Sequence, residues 1–166
     1  MSKPLVVILM GSTVDEPHCQ KIADAAQGFG LEVVLRVGSA HKTSQHVIEI
    51  LDTYETDPRP KVYITVAGRS NALSGFVDGY VSAPVIACPP ASSTFAGADI
   101  YSSLRMPSGV SPAVVLEPEN AALLAARIFA LQDETVKENV AAYKRRQMEK
   151  VIDADVQLRS RYSQSE

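Results

Sequence analysis

A chain of 166 residues is long enough for one domain with a buried core and short for two. Its 46% hydrophobic and 21% charged residues are those of an ordinary globular protein, and a net charge of -3 offers no basic footprint for nucleic acid. The first apolar run, Leu5 to Met10, is too short for a secretory core or a membrane span, so a cytoplasmic protein with no membrane partner is expected.

Short apolar runs alternate with longer helical patterns along the chain, which is how βαβ units feeding a parallel sheet read in sequence. Strands are expected near 4–10, 32–37, 61–67, 83–88 and 113–117. The first and third, "LVVILM" and "KVYITVA", are continuously apolar and rich in β-branched residues, as strands covered on both faces should be. Between them, 15–29 carries Ile22, Ala25 and Phe29 at helical spacing, with Asp15 and Pro17 as start signals and Gly30 as a stop. The segment 43–54 spaces Val47, Ile48, Ile50 and Leu51 on one side, and 119–131 is an alanine- and leucine-rich helix.

Residues 1–132 thus hold the whole sheet, and 133–166 form a charged helical extension of the same domain. Val136, Val140, Tyr143, Met148, Val151, Ile152 and Val156 run along that extension. It fits equally a helix packed by one face on its own domain and an arm lying across a neighbouring subunit. Cys19 and Cys88 belong to no CxxC pair and read as reduced thiols, with Cys88 a small buried filler rather than a nucleophile.

In a doubly wound sheet, ligands bind beyond the carboxyl ends of the strands, where strand order reverses. Three such loops stand out: "GSTVDEPH" at 11–18, "GSAHKT" at 38–43 and "AGRSNALSG" at 67–75. Glycine allows close backbone approach, hydroxyls donate hydrogen bonds, and helix amino termini present unsatisfied amides, a combination suited to a phosphate or carboxylate. Any one of these loops could equally be a turn with a helix cap; three of them carrying Lys42 and Arg69 favour an anionic small molecule.

The GxxxxGK[ST] and GxGxxG cradles are absent, and His18, His41 and His46 lack metal-ligand spacing, so no metal or other cofactor is expected. That leaves His41 for proton transfer, since an imidazole titrates at about 6.5 and works as acid or base near neutrality. A cap on the second helix is its alternative role. Asp15 is open to two roles, a helix cap or an acceptor for sugar hydroxyls. His46 is assigned to a helix surface, and His18, in the first helical turn, is left open.

"MGSTVDEPHCQKI", "RVGSAHKT", "VAGRSNALSGFVDG", "ACPP" and "SSLRMPSG", in this order and spacing, resemble the aminoimidazole ribonucleotide (AIR) carboxylase family of purine biosynthesis over about residues 5–131. His18 shortly after Asp15, Lys42 where the mutase class has arginine, and AGRSN at 67–71 are similar to the class that uses carbon dioxide directly. Position 14 is Val14, where family members commonly have serine.

The resemblance implies a three-layer αβα flavodoxin-like parallel sheet with an extra C-terminal helix, assembled as a homotetramer or homo-octamer. It implies an ATP-independent carboxylase acting on AIR and carbon dioxide. Ser12 and Ser39 would bind the phosphate and Asp15 the ribose, with Gly11 also a substrate-binding residue, while Lys42, Gly68, Arg69 and Ser70 would line the base and carbon dioxide region and His41 would move the proton. Two alternatives stay open: a mutase acting on N5-carboxyaminoimidazole ribonucleotide, and a non-catalytic phosphosugar-binding module on the same fold.

Overall fold

In the computed structural model, which describes residues 3–92 and 94–162, Leu5–Met10 forms strand β1, every residue of which is buried. Residues 1–2, Ser93 and the last four residues of the expected C-terminal extension lie outside the described residues. Strands β2 (Glu32–Val37) and β3 (Lys61–Val66) flank β1 in parallel, with Leu5 opposite both Glu32 and Lys61. β4 (Val85–Ala87) and β5 (Ala113–Val114) complete a five-stranded parallel sheet of order β2-β1-β3-β4-β5.

Among the described residues, six α-helices connect or follow the strands: α1 (Glu16–Gly28), α2 (Ser44–Glu55), α3 (Leu73–Asp78), α4 (Tyr101–Leu104), α5 (Pro118–Phe129) and α6 (Glu134–Tyr162). Successive strand side chains point to opposite faces, and β1 shows what this does to the core. Val6, Ile8 and Met10 pack with Ile22 of α1 and Ala122 and Phe129 of α5. Leu5, Val7 and Leu9 pack with Val47, Ile50 and Leu51 of α2 and Leu73 and Val77 of α3. Each fully buried Leu, Ile or Val contributes about 1.5–3 kcal/mol, so a sheet clothed on both faces supplies the core that the length promised. This is the expected αβα arrangement.

Local signals explain the helix ends. Pro17 lies in the first turn of α1, where its missing N–H is no loss. At the other end Gly30 adopts φ +86°, and the Leu31 and Gly30 amides donate to Ala26 O and Gln27 O at 3.2 and 2.9 Å, closing the helix in a left-handed cap.

Some elements differ from expectation. β4 and β5 are shorter than 83–88 and 113–117, because Pro84, Pro89 and Pro90 have no backbone donor. Pairing nonetheless runs one residue further, with Cys88 N–H donating to Thr65 O at 2.8 Å and Val115 N–H to Ala87 O at 2.9 Å. Helix α3 and the turns over 94–104 carried no distinct periodic signal. The second of these includes Phe95, Ala96 and Gly97 with positive φ.

Helix α6 begins with Asp133 Oδ1 accepting from Val136 N–H at 3.0 Å. Its first turns belong to the core: Val136 and Val140 are buried, Asn139 Nδ2 donates to Phe29 O at 3.0 Å, and the Tyr143 ring meets Phe29 edge-on at 5.2 Å. From Lys144 onward every described residue is exposed, Met148, Val151, Ile152 and Val156 among them. The first turns of this helix therefore pack on its own domain, and the rest runs on past it, exposed. No helix among the described residues is long and apolar enough to cross a membrane.

Candidate active site

β1 is paired on one side with β2 and on the other with β3, so the strand order reverses at β1, and the loops after these three strands meet at their carboxyl ends. The ladder carries on into the loops. Gly11 N–H donates to Val66 O and Gly38 N–H to Met10 O, both at 2.9 Å, so two loops leave the sheet from fixed points. Between them lies a cavity of about 460 Å³.

All nine residues singled out from the sequence line it: Gly11, Ser12 and Asp15 from the first loop, Ser39, His41 and Lys42 from the second, and Gly68, Arg69 and Ser70 from the third. The two serines share a hydrogen-bond pattern. Ser12 Oγ accepts from Val14 N–H at 3.3 Å, and Ser39 Oγ accepts from Lys42 N–H at 3.3 Å. A hydroxyl that accepts from its own loop still has its proton to donate, which suits an anion's oxygen. The second loop is tightened further by Thr43, whose N–H donates to Ser39 O at 2.8 Å and whose Oγ1 accepts from Ser39 N–H at 2.9 Å.

The capping alternatives find no support. Asp15 occupies the position before α1 without making a side-chain capping bond, and His41 makes no hydrogen bond or ion pair among the described residues. Burial raises the Asp15 pKa above its ordinary range, with the nearby His18 working in the opposite direction. His41 and Lys42 are exposed, standing at the cavity wall rather than beneath it. Val14 is 82% exposed at the same wall, so only its amide, bonded to Ser12, serves the first loop.

The other two histidines separate cleanly. His46 lies on the exposed face of α2, with Nδ1 3.5 Å from Glu49 Oε2, as assigned from sequence. His18 is half-buried, its Nε2 3.4 Å from the buried Cys88 Sγ. Burial pushes the Cys88 thiol up to about 12, in keeping with a packed thiol rather than a nucleophile. Among the described residues, no group of three His, Cys, Asp or Glu side chains is gathered as a metal site would require.

The support of the third loop was invisible in sequence. Asn71 is buried, its Oδ1 accepting from Ser74 N–H at 3.2 Å to start α3, and its Nδ2 donating to Ser103 Oγ at 2.9 Å. Arg69 has φ +60°, and its N–H donates to Asp99 Oδ2 at 3.2 Å. These partners come from 99–103, some thirty residues on, and no local pattern connects the two stretches. A second cavity of about 320 Å³ shares Ala67, Gly68 and Arg69 with the first and continues along Pro89, Pro90 and Ile100.

Comparison with known proteins agrees with this architecture. The family model described as AIR carboxylase matches residues 5–150. A phosphoribosylaminoimidazole carboxylase of Treponema denticola is 60% identical over 95% of this chain and 99% of its own. One of Archaeoglobus fulgidus is 54% identical over 92% of this chain and 84% of its own. A crystal structure of Treponema denticola PurE superposes with a TM-score of 0.93 at 60% identity, covering 94% of this chain and 99% of that one. With three loops converging at the strand reversal and a match over nearly its whole length, this chain belongs to the AIR carboxylase family.

Proposed function

We propose that this protein carboxylates AIR at C4 with carbon dioxide, without ATP, giving 4-carboxy-5-aminoimidazole ribonucleotide for purine biosynthesis. The observation that carries the proposal is the meeting of His41, Lys42 and Arg69 with Ser12, Ser39 and Asp15 around one cavity at the strand reversal. Lys42 and the AGRSN loop favour the carbon dioxide-using class, as do relatives whose names are those of carboxylases.

The phosphate is held by the Ser12 and Ser39 hydroxyls with the Gly11 backbone close by, and the Asp15 carboxylate accepts from the ribose hydroxyls. The exocyclic amine of AIR pushes electron density onto C4, making it an enamine-like nucleophile that needs no biotin or metal. C4 attacks the carbon of carbon dioxide, giving a tetrahedral C4 that bears both hydrogen and carboxylate. His41 removes that proton, the electron pair returns to the ring, and aromaticity is restored. Lys42 and Arg69 offset the carboxylate charge, and Ser70 lines the same region.

In the single chain this cavity is open and His41 exposed, whereas retention of carbon dioxide favours a site closed to solvent. A homotetramer or homo-octamer would supply that closure, and the exposed apolar side chains of α6 beyond Lys144 support such an assembly. Residues 133–166 then act as an extension of the catalytic domain rather than a second domain. Two buried unpaired thiols fit the reducing cytoplasm, and a net charge of -3 gives no reason to add nucleic acid as a partner.

The test is product formation by purified protein, with no ATP, from AIR plus carbon dioxide and separately from N5-carboxyaminoimidazole ribonucleotide. Turnover of AIR that scales with dissolved carbon dioxide is expected. Turnover of the N5-carboxylated compound alone would make the protein a mutase, and binding of AIR without turnover of either would leave a phosphosugar-binding module.

A further inference from the structure

Arg69 is one of three residues other than glycine with a left-handed backbone among the described residues, and of the three it is the one that lines the candidate active site. A side chain with a Cβ is disfavoured there, and such a conformation persists only where its surroundings over-determine it. The surroundings are specific. Asp99 Oδ2 accepts from Arg69 N–H at 3.2 Å, while Ser102 Oγ lies 3.3 Å from Arg69 O and 2.7 Å from Asp99 O, sharing its single proton between them. The same Ser102 oxygen accepts from Asn71 N–H at 2.9 Å.

Two side chains therefore grip the peptide groups on both sides of Arg69. The Asp99 carboxylate is spent on the Arg69 amide, and no ion pair of the Arg69 guanidinium occurs among the described residues. A carboxylate that binds the backbone of a cationic residue fixes that residue's direction without neutralising its charge. Arg69 lines both the site cavity and the neighbouring one, so its direction decides which of the two its charge serves.

We propose that Asp99 and Ser102 are positioning residues for carboxylation: they hold Arg69 in its left-handed conformation and so keep its guanidinium at the wall where the new carboxylate forms. This rests on the function proposed above. Neither residue touches the site cavity; both act through Arg69.

The experiment is a double-mutant cycle on AIR carboxylation, with kcat and KM measured separately and the folded state checked by circular dichroism. Asp99→Ala is expected to lower kcat/KM about tenfold, while Asp99→Asn, which keeps an acceptor oxygen, stays within about threefold of the parent. In an Arg69→Ala background the same Asp99→Ala change should cost less than about twofold, because the group it positions is gone. A tenfold loss in both backgrounds, or an unaffected Asp99→Ala enzyme, would overturn the proposal. Ser102→Ala carried through the same cycle gives an independent answer if Asp99→Ala does not fold. If the parent protein binds AIR but carboxylates nothing, the functional reading fails, and the cycle is read on AIR affinity by calorimetry, where additive losses overturn the positioning role.

Discussion

The His18 imidazole and the Cys88 thiol meet at 3.4 Å, although 70 residues separate them in the chain. Cys88 Sγ also lies 3.7 Å from Leu116 O, so the thiol can donate to that carbonyl while accepting from His18 Nε2–H. The contact ties the first turn of α1 to the end of β4.

Thiol chemistry follows from this packing. Burial pushes both Cys88 and Cys19 up to about 12, so almost no thiolate exists near neutrality. At pH 8 a disulfide reagent such as Ellman's is expected to leave both cysteines of the folded protein unmodified over minutes and to titrate two thiols in urea. Rapid release of one equivalent from the native protein would show that one of the two thiols is not held as described.

His18 also sets a pH dependence of stability. Burial pushes its pKa below the ordinary 6.5, an effect that nearby Lys21 reinforces and that a hydrogen bond with the Cys88 backbone, Asp15 and Glu117 oppose. As pH falls through 6.5 the unfolded chain takes up a proton that the folded chain resists, so the contribution of neutral His18 is full above 6.5 and is lost toward its lower folded pKa. Asp15 has the opposite sign in a more acidic window, since its raised pKa favours the folded state below 3.8 and that benefit disappears as pH rises through the folded value. The urea midpoint should therefore decline from pH 7 to pH 5, and His18→Gln should flatten that decline. An equal slope in the variant would remove His18 as its source.

Gly38 supports the second loop by lacking a side chain. A Cβ there would lie 2.9 Å from Val47 Cγ2 and 3.4 Å from Ile50 Cδ1, both on buried residues of α2. Overpacking of this kind costs about 1–3 kcal/mol. Gly38→Ala should show that loss in urea unfolding, together with reduced kcat, because Ser39 and His41 follow within three residues. Parent-like stability would mean that α2 yields to the methyl group without cost.

His41→Asn should keep the fold and AIR binding while lowering kcat by about 10²–10⁴-fold, the range general acid–base catalysis contributes. Among the described residues its imidazole makes no bond that the fold would miss. Near-normal turnover in the folded variant would exclude His41 as the proton carrier. Lys42→Ala should instead weaken carboxylation or anion binding, and unchanged steady-state constants would remove it from the site.

What was legible in sequence was whatever short-range chemistry encodes. "LVVILM" is apolar at every position because β1 is covered on both faces; Pro17 and Gly30 bracket α1; and the glycine- and hydroxyl-rich loops identified themselves by composition. Those signals located the three loops that line the cavity, since each begins at a strand end. The tertiary structure alone decided which distant residues support them. Strand order brought three loops into one cavity, Asp99 and Ser102 reached Arg69 from thirty residues away, and His18 found Cys88 through the packing of α1 against the sheet. Such contacts leave no periodic trace, because hydrogen bonds between loops depend on where whole elements come to rest and not on the spacing of neighbours along the chain.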